Sequence, residues 1–294
     1  MSTPAFLLHE YFGLLIYLAI LLPATFISLP HSTSYFIPTS SPLTQTSSTD
    51  RPEHAFLTPI TARPAVTMLW DVVGMGVVMV WWGGRMKGWF EGKGDKKAGG
   101  DRVVGESELE ERQGRTKKML GRLYEAGVST LAGSLVFYVI LSLMGAPLNS
   151  HWDKTALLAL HLSILTVLPV VYTLGMPSLY DKGTYARFRM TRLFCEFKPE
   201  TPLERALVYP AVGTLTGAWL GALPIPLDWD RPWQSFPLTI AFASILGFVA
   251  GGFVSWGYTV AEGMYNEVTE KAKPVAVEEE RAGKKSKKKK AVKA

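Results

Sequence analysis

Residues 207–258 read LVYPAVGTLTGAWLGALPIPL, then DWDRP, then WQSFPLTIAFASILGFVAGGFVSWGY: two uncharged runs, Leu207 to Leu227 and Trp233 to Tyr258, joined by the five residues Asp228 to Pro232. Either run, as a helix rising 1.5 Å per residue, crosses a hydrocarbon core of about 30 Å. So short a connection makes them antiparallel neighbours. Working outward, four more runs have the same character: Tyr11 to Pro30, Ala65 to Gly84 with Asp71 as its one charge, Ala126 to Pro147, and Thr155 to Pro177 with His161 as its one histidine. Soluble cores do not need six such segments, so the expected fold is an all-α polytopic membrane protein with six transmembrane helices. The mean hydropathy of +0.14 conceals this, because polar loops dilute the spans. One cysteine in 294 residues excludes a disulfide framework and any cysteine-based metal centre.

Basic residues set the orientation. Eleven lie in Arg85 to Arg122, six in Ser178 to Ala206 and ten after Tyr258, whereas the opposite side holds only Arg51, Arg63, Lys154 and Arg231. By the positive-inside rule the 27 face the cytosol and the four do not, which places both termini in the cytosol. Tyr11 to Pro30 reads as a retained span and not a signal peptide, since no Lys or Arg precedes it and Glu10 stands at its start. The resulting layout is 1–30, N-terminus and first span; 31–64, a Ser/Thr/Pro-rich outer loop; 65–84, second span; 85–125, charged cytosolic insert; 126–177, third and fourth spans; 178–206, basic cytosolic loop; 207–258, glycine-rich hairpin; and 259–294, polybasic tail.

Local signals mark helix starts. Ser107-Glu108-Leu109-Glu110, Ser150-His151-Trp152-Asp153 and Thr201-Pro202-Leu203-Glu204 each pair a hydroxyl with a carboxylate three residues on, as a capping box does. Tyr185 to Phe194 interleaves aromatic and basic residues, the pattern either of a helix lying on the cytosolic leaflet or of an ordinary linker. Within the hairpin, Gly213, Gly217 and Gly221 recur every four residues, and Ala243, Gly247 and Gly251 answer them. Small residues at that spacing let two helix backbones approach closely, within the hairpin or against a partner's helix.

Three places are candidates for function. Asp228, Trp229, Asp230, Arg231, Pro232 and Trp233 crowd two carboxylates, a guanidinium and two indoles at the outer membrane surface, as either a recognition patch or a rigid turn. Asp71 and His161 are the ionisable residues within the spans and fall in the same half of the membrane. They either meet as a small polar site or are satisfied separately, and the scarcity of polar residues around them favours the second. The polybasic stretch Lys284 to Lys290 suits anionic lipid or only fixes topology. Against catalysis, no HExxH, nucleophile elbow, P-loop or dinucleotide fingerprint is present, and Cys195 has no histidine in its loop. No cofactor or metal is called for.

The segment Gly217-Ala-Trp-Leu-Gly-Ala-Leu-Pro-Ile-Pro-Leu-Asp-Trp-Asp-Arg-Pro-Trp-Gln234 resembles the signature of the PIG-F family of glycosylphosphatidylinositol (GPI) anchor biosynthesis proteins. The resemblance implies a multi-pass protein of the endoplasmic reticulum membrane. It would be a non-catalytic subunit that binds and stabilises the GPI ethanolamine phosphate transferases, which add phosphoethanolamine to mannose of the GPI precursor. It would also turn Asp228 to Trp233 toward the lumen. Membrane lipids, phosphatidylethanolamine or the GPI precursor, are further expected partners, and nucleic acid is not. A rival reading is a lipid transporter or scramblase supplying those lipids, with Asp71, His161 and the hairpin lining a groove. A direct transferase would instead need a metal cluster at His31, His54 and His151.

Overall fold

The computed structural model describes residues 8–34, 54–91, 106–177, 183–227 and 231–291, and every regular element among them is helical. In order these are α1 (Leu8–Ser34), α2 (Thr58–Thr61), α3 (Pro64–Phe90), α4 (Glu106–Leu143), α5 (Trp152–Thr166), α6 (Leu168–Leu174), α7 (Thr184–Phe194), α8 (Pro202–Ala222), a 3₁₀ turn at Pro232–Gln234, and α9 (Leu238–Ala291). A bilayer offers no water to unpaired backbone groups, so a chain this apolar folds as helices. Five segments are long and apolar enough to cross a membrane: Leu8–Thr33, Pro64–Phe90, Thr116–Leu143, Trp152–Leu174 and Leu238–Thr269. The protein is thus an all-helical, multi-pass membrane protein. α8 is 21 residues long but opens with Glu204 and Arg205 and is rich in Gly and Thr, and it is not one of the five.

Helix ends follow local chemistry. Thr201 caps α8 with its hydroxyl accepting from the Glu204 N–H, while the Glu204 carboxylate accepts from the Thr201 N–H, and Pro202 follows the cap. At α5 the expected box does not form. His151 occupies the cap position with no side-chain bond, one residue later than Ser150 would need, and the Thr155 hydroxyl reaches the Pro147 carbonyl instead at 2.9 Å. The Ser107 side chain lies outside the described residues. α5 and α6 form one span with a break at Val167, because Pro169 has no N–H to give the carbonyl four residues back. In the hairpin, α8 stops at Ala222 and α9 starts at Leu238, so Leu223 to Leu227 and Trp233 to Pro237 belong to the turn.

The core is a seam of large side chains at helical spacing. Met68, Val72, Met75, Met79, Trp82 and Met86 line one side of α3, and Tyr11, Leu15, Leu18, Leu22 and Phe26 line α1. Alternating steps of three and four residues keep each set on one face. The α5–α6 span is central, with 72% of its apolar window buried, and α4 is peripheral at 11%.

The most intimate helix pair is α8 with α9, and glycines make it so. A Cβ built on Gly213 would fall on the Gly247 carbonyl, one on Gly217 on the Ala243 carbonyl, and one on Gly251 on the Tyr209 carbonyl. A Cβ on Gly221 would sit 2.7 Å from that of Ala243. Backbone therefore meets backbone along this line, and the small-residue face is filled from within the chain. It is not open to a partner's helix.

Gly217→Leu should therefore abolish the folded monomer or destabilise it by more than the roughly 1–3 kcal/mol of ordinary overpacking. Gly13→Ala and Gly76→Ala, where a Cβ meets nothing within 4 Å, should be neutral or stabilising by up to about 1 kcal/mol. Thermal melting of the three variants in one detergent checks this.

Candidate functional site

The packing of α1, α3, α5 and α9 brings Thr25, Asp71, His161 and Ser244 into one cluster. His161 Nδ1 lies 2.6 Å from Asp71 Oδ2, His161 Nε2 lies 2.6 Å from Ser244 Oγ, and the Thr25 hydroxyl is 3.2 Å from Asp71 Oδ1. Asp71, His161 and Ser244 have no solvent exposure at all. Asp71 and His161 are thus partners, contrary to the expectation that each would be satisfied alone. The missing signal was Ser244 and Thr25, hydroxyls that look like ordinary polar residues in an apolar helix.

Hydrogen-bond partners fix the proton arrangement. The Ser244 hydroxyl is 2.7 Å from the Ala241 carbonyl, which only accepts, so the serine proton goes there. Nε2 then donates to Ser244 Oγ, and one further proton lies between Nδ1 and Asp71. Whichever atom holds it, the Asp71–His161 pair has no net charge, which is what allows it to lie among apolar side chains. The order Asp, His, Ser is that of a catalytic triad, but the hydroxyl points its proton at a carbonyl and no face of the cluster is open. The arrangement locks four helices in register.

At the hairpin tip, Asp228, Trp229 and Asp230 lie outside the described residues, as does any pairing of Arg231 with either carboxylate. What holds the described part is Gln234. Its Nε2 donates to the carbonyls of Pro224 and Leu227 at 2.7 and 2.6 Å, and its Oε1 accepts from the Arg231 N–H at 3.0 Å. One amide thus satisfies three backbone groups that the prolines deny a helix. Pro232 is exposed, while Arg231 and Trp233 are half-buried.

At the opposite end of α8, a single carboxylate organises the surface. Glu204 Oε1 accepts from Arg189 Nε at 2.7 Å and Arg192 Nη2 at 2.6 Å, and Oε2 accepts from the Glu200 N–H at 2.9 Å. Burial pushes the Glu204 carboxyl up, but these backbone donors and the Arg189 guanidinium outweigh it and hold the group below the ordinary carboxylate range. α7 is a helix and not a linker, and its Arg189 and Arg192 turn toward Glu204, while Tyr185 and Phe188 carry its exposed face at 75% and 70% exposure. Arg205 pairs with Glu262 and lies over the Tyr258 ring, tying α8 to α9 at the same level. Among the described residues, no group of three His, Cys, Asp or Glu side chains is placed to hold a metal ion.

A helical bundle that pairs its innermost ionisable groups and turns apolar side chains outward is a membrane-embedded protein in kind. Residues 43–256 match the GPI biosynthesis protein family Pig-F, and the chain belongs to that family. It is 36% identical over 146 residues to glycosylphosphatidylinositol anchor biosynthesis protein 11 of Aspergillus fumigatus, covering 49% of this chain and 45% of that protein. With the protein of the same name in Yarrowia lipolytica it shares 42% over 119 residues, 40% of this chain and 47% of the relative. With the human GPI ethanolamine phosphate transferase, stabilizing subunit, it shares 37% over 124 residues, 42% and 52% of the two chains. The chain spans about half the length of the curated relatives it matches. No solved structure matches it.

Asp71→Leu should cost about 3–5 kcal/mol by stranding His161, and Ser244→Ala about 1 kcal/mol, as read by reversible unfolding in mixed micelles. The Glu204 contribution has the opposite pH logic to a histidine's. Its folded value is depressed, so its stabilisation is complete above the unfolded value of about 4.3 and is lost as pH falls through the folded value. Glu204→Gln should remove that acid limb from a plot of melting temperature against pH.

Proposed function

We propose that this chain is a non-catalytic membrane subunit that binds and stabilises GPI ethanolamine phosphate transferases, supporting phosphoethanolamine addition to mannose of the GPI precursor in the endoplasmic reticulum membrane. The observation that carries the reading is the family match across residues 43–256, which includes the hairpin's tip and its glycine face. The human relative, named as the stabilizing subunit of the GPI ethanolamine phosphate transferase, gives the direction. In this reading α8 is a sixth span, paired with α9, the basic loops and both termini are cytosolic, and the tip from Asp228 to Trp233 is lumenal.

The sealed interior supports an accessory role. Asp71 and His161 are fully buried and bonded to each other, so they do not line a groove as the transporter reading requires. Partner contact then falls to the outer faces and to the hairpin tip. The tip is the best candidate, because it concentrates charge and indole rings on the side where the transferases work.

The test is affinity recovery of the tagged full chain from cells, with transferase subunits quantified by mass spectrometry and GPI intermediates by lipid analysis. Loss of the chain should lower transferase levels and accumulate precursors lacking phosphoethanolamine. Asp228→Ala with Trp229→Ala should reduce transferase recovery at least severalfold at unchanged chain abundance. Undiminished recovery would assign the tip to turn formation alone, and an absence of transferases from the wild-type recovery would sink the proposal.

A further inference from the structure

A small cleft of about 170 Å³ opens where the C-terminal ends of α3 and α6 meet the middle of α4, lined by Lys87, Phe90, Glu91, Arg122, Glu125 and residues 171–175. Its chemistry is balanced. Lys87 and Arg122 give two positive charges, and Glu91 and Glu125 give two negative ones. Glu91 and Arg122 pair across the mouth, and Lys87 Nζ lies 4.9 Å from the centre of the Tyr172 ring. Such a lining neither concentrates cation nor anion. It suits a ligand that carries both signs a few ångströms apart.

A second, independent observation points to an occupant. Thr130, Thr166 and Thr214 each return their hydroxyl to the carbonyl four residues back, as a helical threonine normally does. Thr173 lines the cleft, is 4% exposed, and its hydroxyl oxygen has no hydrogen-bond partner among the described residues. A buried unpaired hydroxyl is costly and calls for a polar partner from the cleft side.

The surroundings select a lipid. One turn beyond Glu125, the apolar residues Val128, Leu131 and Leu135 run down the exposed face of α4 at 40%, 61% and 71% exposure. They continue the cleft into the hydrocarbon. Two aromatic rings border the cleft, and each already carries a cation: Lys87 over Tyr172, and Arg189 over Phe90 at 4.8 Å. An aromatic cage for a quaternary ammonium is therefore not on offer, whereas carboxylates able to accept N–H bonds are.

We propose that this cleft binds the headgroup of a zwitterionic phospholipid with a primary ammonium group. The phosphate rests on Lys87, Arg122 and the Thr173 hydroxyl, the ammonium on Glu125, and the acyl chains along α4. This site lies at the end of the bundle opposite the hairpin tip and does not depend on the transferase reading.

Native mass spectrometry of the detergent-purified full chain, titrated with phosphatidylethanolamine, phosphatidylcholine and phosphatidylglycerol of identical acyl chains, tests it. Wild type should retain one phosphatidylethanolamine, at least about fivefold over the other two. Arg122→Gln with Thr173→Val should weaken that retention about tenfold, the scale of one lost charge-assisted contact. Glu125→Gln, at an exposed position, should bring phosphatidylethanolamine down to the phosphatidylcholine level without moving the melting temperature. Equal retention of the three lipids by wild type, or a preference that survives Glu125→Gln, would overturn the proposal. Displacement of the lipid by equimolar glycerophosphoethanolamine would overturn the membrane source and make the occupant a soluble phosphodiester.

Discussion

The contact of α8 with α9 is where two backbones come together with no side chain between them, and the rest of the bundle is arranged around it. Gly213 and Gly217 face Gly247 and Ala243 so closely that a single methyl group would occupy a carbonyl oxygen. In lipid, water provides no drive for two apolar helices to associate, so close packing of this kind has to do so. Once the hairpin is zipped, the remaining faces of α9 are set. Ser244 points toward α5, Phe248 packs edge-on against Trp82 with ring centres 5.8 Å apart, and Gly252 leaves room for Leu15. A separation of α8 and α9 by one side chain would misplace all three.

Polar groups in this protein fall under different rules at different depths. In the middle, Asp71 and His161 survive by being neutral as a pair and bonded on every side. At the hairpin tip, Gln234 replaces backbone bonds that proline removes. At the other end, Glu204 gathers two guanidinium groups and two backbone N–H donors. Only there, where a buried carboxylate is held ionised by its donors, does acidity become a usable variable. The cleft beside Arg122 differs from all of these because its charges are balanced but Thr173 is left over, an incomplete set and not a closed one.

Much of this was legible in the chain. Hydropathy located the helices, the four-residue spacing from Gly213 located the tight pair, and the Thr201 box located the start of α8 correctly. The failures have physical causes. Leu223 to Leu227 are as apolar as the helix before them, but Pro224 and Pro226 forbid its continuation, so hydropathy overruns the true end. Ser150 missed the cap by one residue, a precision that spacing does not reach. The methionine seam of α3 is invisible to hydropathy because every residue of a span is apolar, and only side-chain size separates the inner face from the outer. Asp71 and His161 met because two hydroxyls on other helices completed their shell, and serine or threonine in a span carries no mark of what it will face. The distribution of charge between loops gave an orientation, which packing in the bundle does not address.

The buried cluster also bears on how the protein is made. Asp71 is synthesised 90 residues before His161, and Ser244 follows His161 by a further 83. At roughly 5–20 residues per second, α3 waits about 5–20 s for its histidine. During that interval it carries a carboxylate whose exposure to hydrocarbon costs about 2.5–3.5 kcal/mol. The second long helix of the chain is therefore held out of its final environment until the fourth arrives. A chain broken off before Ser244 would present an incompletely bonded polar pair within the membrane, a chemical difference by which an unfinished protein is distinguishable from a finished one.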